Sequence, residues 1–163
     1  MSTAYPSARN ATGFFKDTND GDDDAESNDD NLIVNFGHPP SAVEERTITA
    51  LLKSYYVAAA AADGAKACAL LYSLVAETVA EEFGRELGEP PGASCSTVMS
   101  KVLQQRHRQL AMELASLEVT RVRVEGDKGV AVVSFGKTPE PHMFLHHEQG
   151  VWKIESLFAL RMI

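Results

Sequence analysis

The apolar residues of this chain change their repeat partway along it. Between Ser41 and Ala62 they recur at helical spacing, with Ile48, Leu51, Leu52, Tyr55, Ala59 and Ala62 on one stripe. Ser41 is placed to cap this helix, and Glu44 three residues on completes a capping box. Asp63-Gly64 interrupts the pattern. Asp63 then caps a second predicted helix from Ala65 to Ala80, whose inward stripe is Ala67, Leu70, Leu71, Leu74 and Thr78. Gly84 to Gly92 contains Gly88, Pro90 and Pro91 and reads as a loop. Ser94 caps a third predicted helix from Cys95 to Leu110, with Val98, Val102 and Leu103 facing inward, and Met112 to Ser116 is either its end or a link.

From Leu117 the period is two. Leu117 to Glu125 reads as a strand with Thr120, Val122 and Val124 on one face and Arg121 and Arg123 on the other. Gly126 to Gly129 is a turn. Val130 to Phe135 is apolar on both faces, which suits a central strand. A second turn over Gly136 to Pro141 leads to strands at His142 to Glu148 and Val151 to Leu160, joined at Gln149-Gly150. The fold class is α+β: three N-terminal helices packed on one face of an antiparallel four-stranded meander.

Charge separates a tail from this domain. The chain has 163 residues and a net charge of -8. Residues 1–40 carry eight acids (Asp17, Asp20, Asp22, Asp23, Asp24, Glu26, Asp29, Asp30) against Arg9 and Lys16, so -6 of the total lies there. Asp17 to Asn31 has no large apolar side chain and cannot offset its ordering entropy, so 1–40 reads as a disordered acidic tail and 41–163 as the domain. A calcium loop starting at Asp17 would put Gly21 at position 5 and Asn28 at position 12, which is the wrong register. Leu32 to Phe36 is a short apolar patch that reads as docking on the domain. The excess of acid argues against nucleic acid as a partner. No apolar run approaches the 18 or so residues of a membrane span. No basic region followed by an apolar core marks a signal peptide, which at face value means cytoplasmic, although an acidic polar tail also suits a tether. Cys68 and Cys95 have no metal-site spacing. They are either two buried thiols or one bridge closing a loop of about 28 residues, worth roughly 3.5 kcal/mol.

Several segments together carry a resemblance. The small-residue run Ala58 to Ala62 precedes Asp63-Gly64 and Ala65-Lys66-Ala67-Cys68. The strand Val119 to Val124 meets a Gly-Asp turn and Val130-Ala131-Val132-Val133, and the last strand carries Trp152-Lys153-Ile154-Glu155-Ser156-Leu157. Over roughly 42–160 this order resembles the nuclear-transport-factor-two-like superfamily, also called SnoaL-like or cone-fold. The resemblance implies that the sheet is curved around a cone. The chain also resembles actinobacterial members with one cysteine on the second helix and another before the third. That likeness implies a Cys68–Cys95 disulfide and a secreted or tethered, extracytoplasmic home.

Enzymes of that superfamily place acid/base residues inside the cone: aspartates in isomerases and epoxide hydrolases, His with Asp in dehydratases. The domain's aspartates here are Asp63, a predicted helix cap, and Asp127, a turn residue, so aspartate mechanisms are disfavoured. The remaining carboxylates are Glu148 and Glu155, and Glu155 faces solvent if Trp152 and Ile154 face the core. His142 and His146 share a strand face about 13 Å apart, and His147 points the other way, so no metal site and no cofactor is expected. One of them can be a general base: His142 or His146 if Phe144 points inward, His147 if Met143 and Leu145 do. Tyr55, Tyr56, Phe144 and Trp152 are the pocket candidates, and Arg106, His107, Arg108, Arg121 and Arg123 read as a solvated face. The expectation is a non-catalytic cone-fold domain that binds a small apolar ligand or a protein partner. The rivals are a small lyase, isomerase or hydrolase using a pocket His with Glu or Tyr, and a module that homodimerises through its outer sheet face.

Overall fold

The structure is a computed structural model that describes residues 33–136 and 142–156. The chain divides into two units, Met1–Asn35 and Phe36–Ile163. The acidic segment 17–31 and Leu32 lie outside the described residues. The second unit therefore includes residues 36–40 as well as the predicted domain. His38 and Val124 exchange two backbone hydrogen bonds, both 3.0 Å, at the open edge of the first strand.

Helix α1 spans Ala42–Ala60. Its capping box is formed: Ser41 Oγ accepts from Glu44 N at 3.1 Å, and Glu44 Oε1 accepts from Ser41 N at 3.0 Å. These two bonds satisfy orphan amides at the helix start. The same backbone bond from Ser41 holds the exposed Glu44 carboxyl below the usual carboxylate range. The apolar stripe from Ile48 to Ala59 is buried against the first and last strands.

The helical half is not three continuous helices. Among the described residues the second unit has six α-helical segments, because the second and third predicted helices both break. Helix α2 is only Gly64–Ala69. Beyond it the backbone pairs with the last strand: Ile154 N donates to Leu70 O at 2.9 Å and Tyr72 N donates to Ile154 O at 2.8 Å. Leu71 thus forms a parallel bridge to Ile154 and is buried. Helix α3 starts afresh at Ser73–Thr78, widens into a π-helical turn at Val79–Phe83, and ends in the short α4 at Gly84–Glu86. The restart rotates the stripe, so Leu74 is 58% exposed and Val79 takes the inward place. Helix α5, Cys95–Gln104, is capped by Ser94 and buries Val98, Val102 and Leu103. It tightens at Gln105 and Arg106, whose amides bond Val102 O and Leu103 O. Helix α6, His107–Glu113, then runs against α1 before a 3₁₀ turn at Leu114–Ser116.

Helices α2 and α5 pack closely. Gly64 N donates to Ser100 Oγ at 3.1 Å. Cys68 and Cys95 are joined by a disulfide with 6.1 Å between their Cα atoms.

The sheet is β1 Leu117–Glu125, β2 Lys128–Phe135, β3 His142–Glu148 and β4 Val151–Ile154, antiparallel in the order β1-β2-β3-β4. Strand β4 ends at Ile154, with Glu155 and Ser156 outside it, and 157–160 of the predicted strand lie outside the described residues. In β1 the register shifts between Val119 and Arg121. Thr120 is the extra, exposed residue, so it does not share the core face of Val122 and Val124 as the alternation predicts. Strand β2 is central and buried on both faces: Ala131 and Val133 join the core with Met143, Leu145 and Ile154, while Val130 and Val132 point the other way. Among the described residues, no helix is long and apolar enough to cross a membrane.

Candidate functional site

The strand parity is decided by β3. Met143 and Leu145 are both 0% exposed, and Phe144 is 47% exposed. His142, Phe144 and His146 therefore lie on the outer face of the sheet, and His147 shares the inner parity. Phe144 is thus not an inward pocket residue: its neighbours Met143 and Leu145 occupy the core side.

The candidates do not converge as a set. His147 sits exposed at the end of β3, its ring tilted against Trp152 with 4.9 Å between centroids. Trp152 is buried in the core and covers Gly129, where an added Cβ would meet its ring at 3.2 Å. His142 is half-buried opposite Val132, and its Nε2 is buried with no hydrogen-bond partner among the described residues. Tyr55 and Tyr56 are core residues in edge-to-face contact at 5.5 Å, and Tyr56 meets Phe135 in the same way at 5.1 Å. The Tyr56 hydroxyl donates to Met143 Sδ at 3.5 Å rather than to a carboxylate. Burial pushes both phenol groups well above the usual tyrosine range.

His146 and Glu155 do come together. Strand register sets Lys128 directly beside His146 on β2 and Lys153 beside it on β4. Lys128 Nζ lies 3.0 Å from His146 Nδ1 and 3.2 Å from Glu155 Oε1. Glu155 Oε1 is 3.9 Å from the same ring nitrogen. On the other edge of the ring, Nε2 lies 3.6 Å from Asp127 Oδ2. Tyr72 stacks on the ring, with 4.1 Å between centroids and 28° between planes. The His146 side chain is left 14% exposed.

Neighbouring polar groups tie down the crossing that carries Tyr72. Lys153 Nζ donates to Ala69 O at 2.6 Å. Glu148 accepts from the Ser73 hydroxyl and, at 3.3 Å, from Ser73 N. Glu148 is therefore a clasp for the start of α3.

This geometry fixes what the ring can do. An ammonium donates and never accepts, so Nδ1 offers its lone pair to Lys128 and the ring proton sits on Nε2, facing Asp127. Lys128 engages one edge of the imidazole, Asp127 lies beyond hydrogen-bond distance of the other, and Tyr72 covers the face, so the site is a stacked latch on the outer face. Among the described residues no group of three His, Cys, Asp or Glu side chains could hold a metal ion.

Sequence reasoning missed Tyr72 and Lys128, and set Asp127 aside as a turn residue. Lys128 was findable only with the β2–β3 register in hand, and the loop between those strands leaves that register open. Tyr72 carried no signal, because 65–80 reads as unbroken helix. A cleft of about 400 Å³ is lined by Glu77, Glu81, Arg85, Glu89 and the Pro90-Pro91 loop, and none of these site residues lines it. Glu89 is paired there with Lys101. No known protein family, curated protein or solved structure matches the chain.

Proposed function

We infer that this is a non-catalytic binding domain of the cone-fold type, acting outside the cytoplasm, and that its partner is a protein rather than a small apolar ligand. One observation carries the choice of partner. A side chain that lines a ligand cavity shows surface to that cavity, and pockets for such ligands need about 300–1,000 Å³. On the inner face of the sheet Ala131, Val133, Met143, Leu145 and Ile154 show none (0% each), and Tyr55, opposite them on α1, shows 1%. The place where a cone would hold its ligand is filled by the domain's own aromatic and aliphatic side chains.

The cone-fold reading is supported by a four-stranded meander with α1 packed against its first and last strands. The location is supported by the Cys68–Cys95 bridge, since such bonds persist in oxidising compartments. The non-catalytic reading is supported by His146. Of the histidines on β3 it is the one set between carboxylates, yet Tyr72 covers its face and its side chain is only 14% exposed, which leaves little of the ring for a substrate to meet.

The test is uptake of an apolar dye such as anilinonaphthalene sulfonate by the native chain, followed by Trp152 fluorescence. The expected result is no saturable binding below denaturing temperature. One-to-one binding with quenching of Trp152 would overturn the assignment in favour of a ligand pocket.

A further inference from the structure

We propose that His146 is a proton-operated exchange switch: one proton taken up at Nδ1 trades Lys128 for Glu155 as the ring's partner and releases the Lys128 ammonium to solvent. The argument rests on three atoms. Lys128 Nζ, His146 Nδ1 and Glu155 Oε1 form a triangle with sides of 3.0, 3.2 and 3.9 Å. With Nδ1 unprotonated, the lysine bridges the ring and the carboxylate, and all three groups are satisfied. With Nδ1 protonated, an N–H faces an ammonium at 3.0 Å, and neither can accept. Glu155 Oε1 is an acceptor within reach of both, and a closing of under 1 Å brings it to hydrogen-bond distance of Nδ1 (from 3.9 Å).

The groups around the ring favour the exchange over expulsion of the ring. Asp127 already lies 3.6 Å from Nε2, so the imidazolium is held between two carboxylates. The Tyr72 face lies against it, where a cation is attracted to the ring. The remaining charged neighbours are committed elsewhere: Lys153 to Ala69 O and Glu148 to Ser73. Glu125, opposite Lys128 across the first hairpin, is exposed and available to the released ammonium. Lys128 is already 47% exposed, so it leaves without opening the core. The proton comes from solvent, and no bond other than N–H is made or broken.

The experiment is an NMR titration of the full chain from about pH 5 to 8, the interval over which imidazole changes charge. The His146 ring carbons and the Lys128 Cε and Nζ signals are followed in wild type, His146→Gln and Lys128→Met. The expected result is that Lys128 inflects in wild type at the same midpoint as His146 and is flat in His146→Gln. In Lys128→Met the His146 midpoint moves to higher pH, because the opposing cation is gone. Dispersed core methyl signals report that each variant is folded. A flat Lys128 signal in wild type, an inflection that persists in His146→Gln, or an unmoved His146 midpoint in Lys128→Met would each overturn the proposal.

Discussion

Gly64→Ala adds a single methyl group where the chain has no room for one. Gly64 opens α2 and lies against α5. A Cβ there would meet Ser100 Oγ at 2.2 Å, Ser96 O at 2.4 Å and Ser100 N at 2.5 Å. The hydroxyl can rotate away, but Ser96 O and Ser100 N are backbone atoms of α5 and cannot. The helix pair has to separate by about 1 Å to restore ordinary contact distances, and the Cys68–Cys95 bridge between the same two elements resists that movement. Overpacking of this kind costs about 1–3 kcal/mol. Losing the bond from Gly64 N to Ser100 Oγ costs about 1 kcal/mol more. Alanine returns at most about 1 kcal/mol through its helix preference. The net is a loss of about 2 kcal/mol, a fall in Tm of roughly 8 °C for a domain of this size. Thermal unfolding by circular dichroism without reductant measures it. Gly88→Ala is the control: its φ is +74° and nothing lies within 4 Å, so its only cost is left-handed backbone, about 1–2 kcal/mol. If Gly64→Ala melts within 2–3 °C of wild type (less than about 1 kcal/mol), the close packing of α2 on α5 is wrong.

Replacing both Cys68 and Cys95 with Ser opens a loop with a sequence separation of 27 and should cost about 3.5 kcal/mol in urea unfolding; unfolded, unreduced wild type should show no free thiol, and two would refute the bridge. Ser41→Ala should cost about 1 kcal/mol by removing the α1 cap. The lowered Glu44 value means its contribution is present above the unfolded carboxylate range and lost as pH falls through the folded value, so Glu44→Gln should flatten part of the decline in Tm between about pH 5 and 3; an identical acid limb in the variant would contradict this. Tyr55 titrates higher in the folded chain than in the unfolded one, so its contribution is complete below about pH 10 and lost as pH rises from there. Tyr55→Phe should therefore lose less stability than wild type between about pH 9 and 11, and an unchanged alkaline limb would show that the phenol is not buried.

The legible parts of the fold were those set by local chemistry. The α1 cap is written in Ser41 and Glu44, and the Ser94 cap and the buried Val98, Val102 and Leu103 follow from spacing alone. The four strands in their order are visible in the change of period at Leu117. Thr120 was misplaced because a bulge adds one residue without changing the hydrophobic alternation on either side of it. The face of β3 was open because His142, Phe144 and His146 alternate with Met143, Leu145 and His147, and each set has an apolar member. Only packing against α1 decides between them. The candidate site was half legible for the same reason. His146 and Glu155 stood out as titratable residues, but their meeting depends on the pairing of β3 with β4, and Lys128 on the pairing with β2.

The break after Ala69 explains how Tyr72 comes to cover the outer-face site. Leu70 and Leu71 are good helix formers, and nothing local forbids a helix running on to Ala80. The backbone loses little by leaving it, because Leu70 O and Tyr72 N exchange helical partners for Ile154 at 2.9 and 2.8 Å. Leu71 then takes a fully buried place beside β4, a gain of about 2 kcal/mol over exposure. Extended backbone alternates its side chains, so burying Leu71 inward sends Tyr72 outward. Tyr72 lands on His146, and Ser73 and Ala69 come within reach of Glu148 and Lys153. Strand register brings Lys128 and Glu155 to His146, but the aromatic cover over the ring and the two anchors beside it are a consequence of one apolar side chain finding the sheet edge rather than the helix bundle.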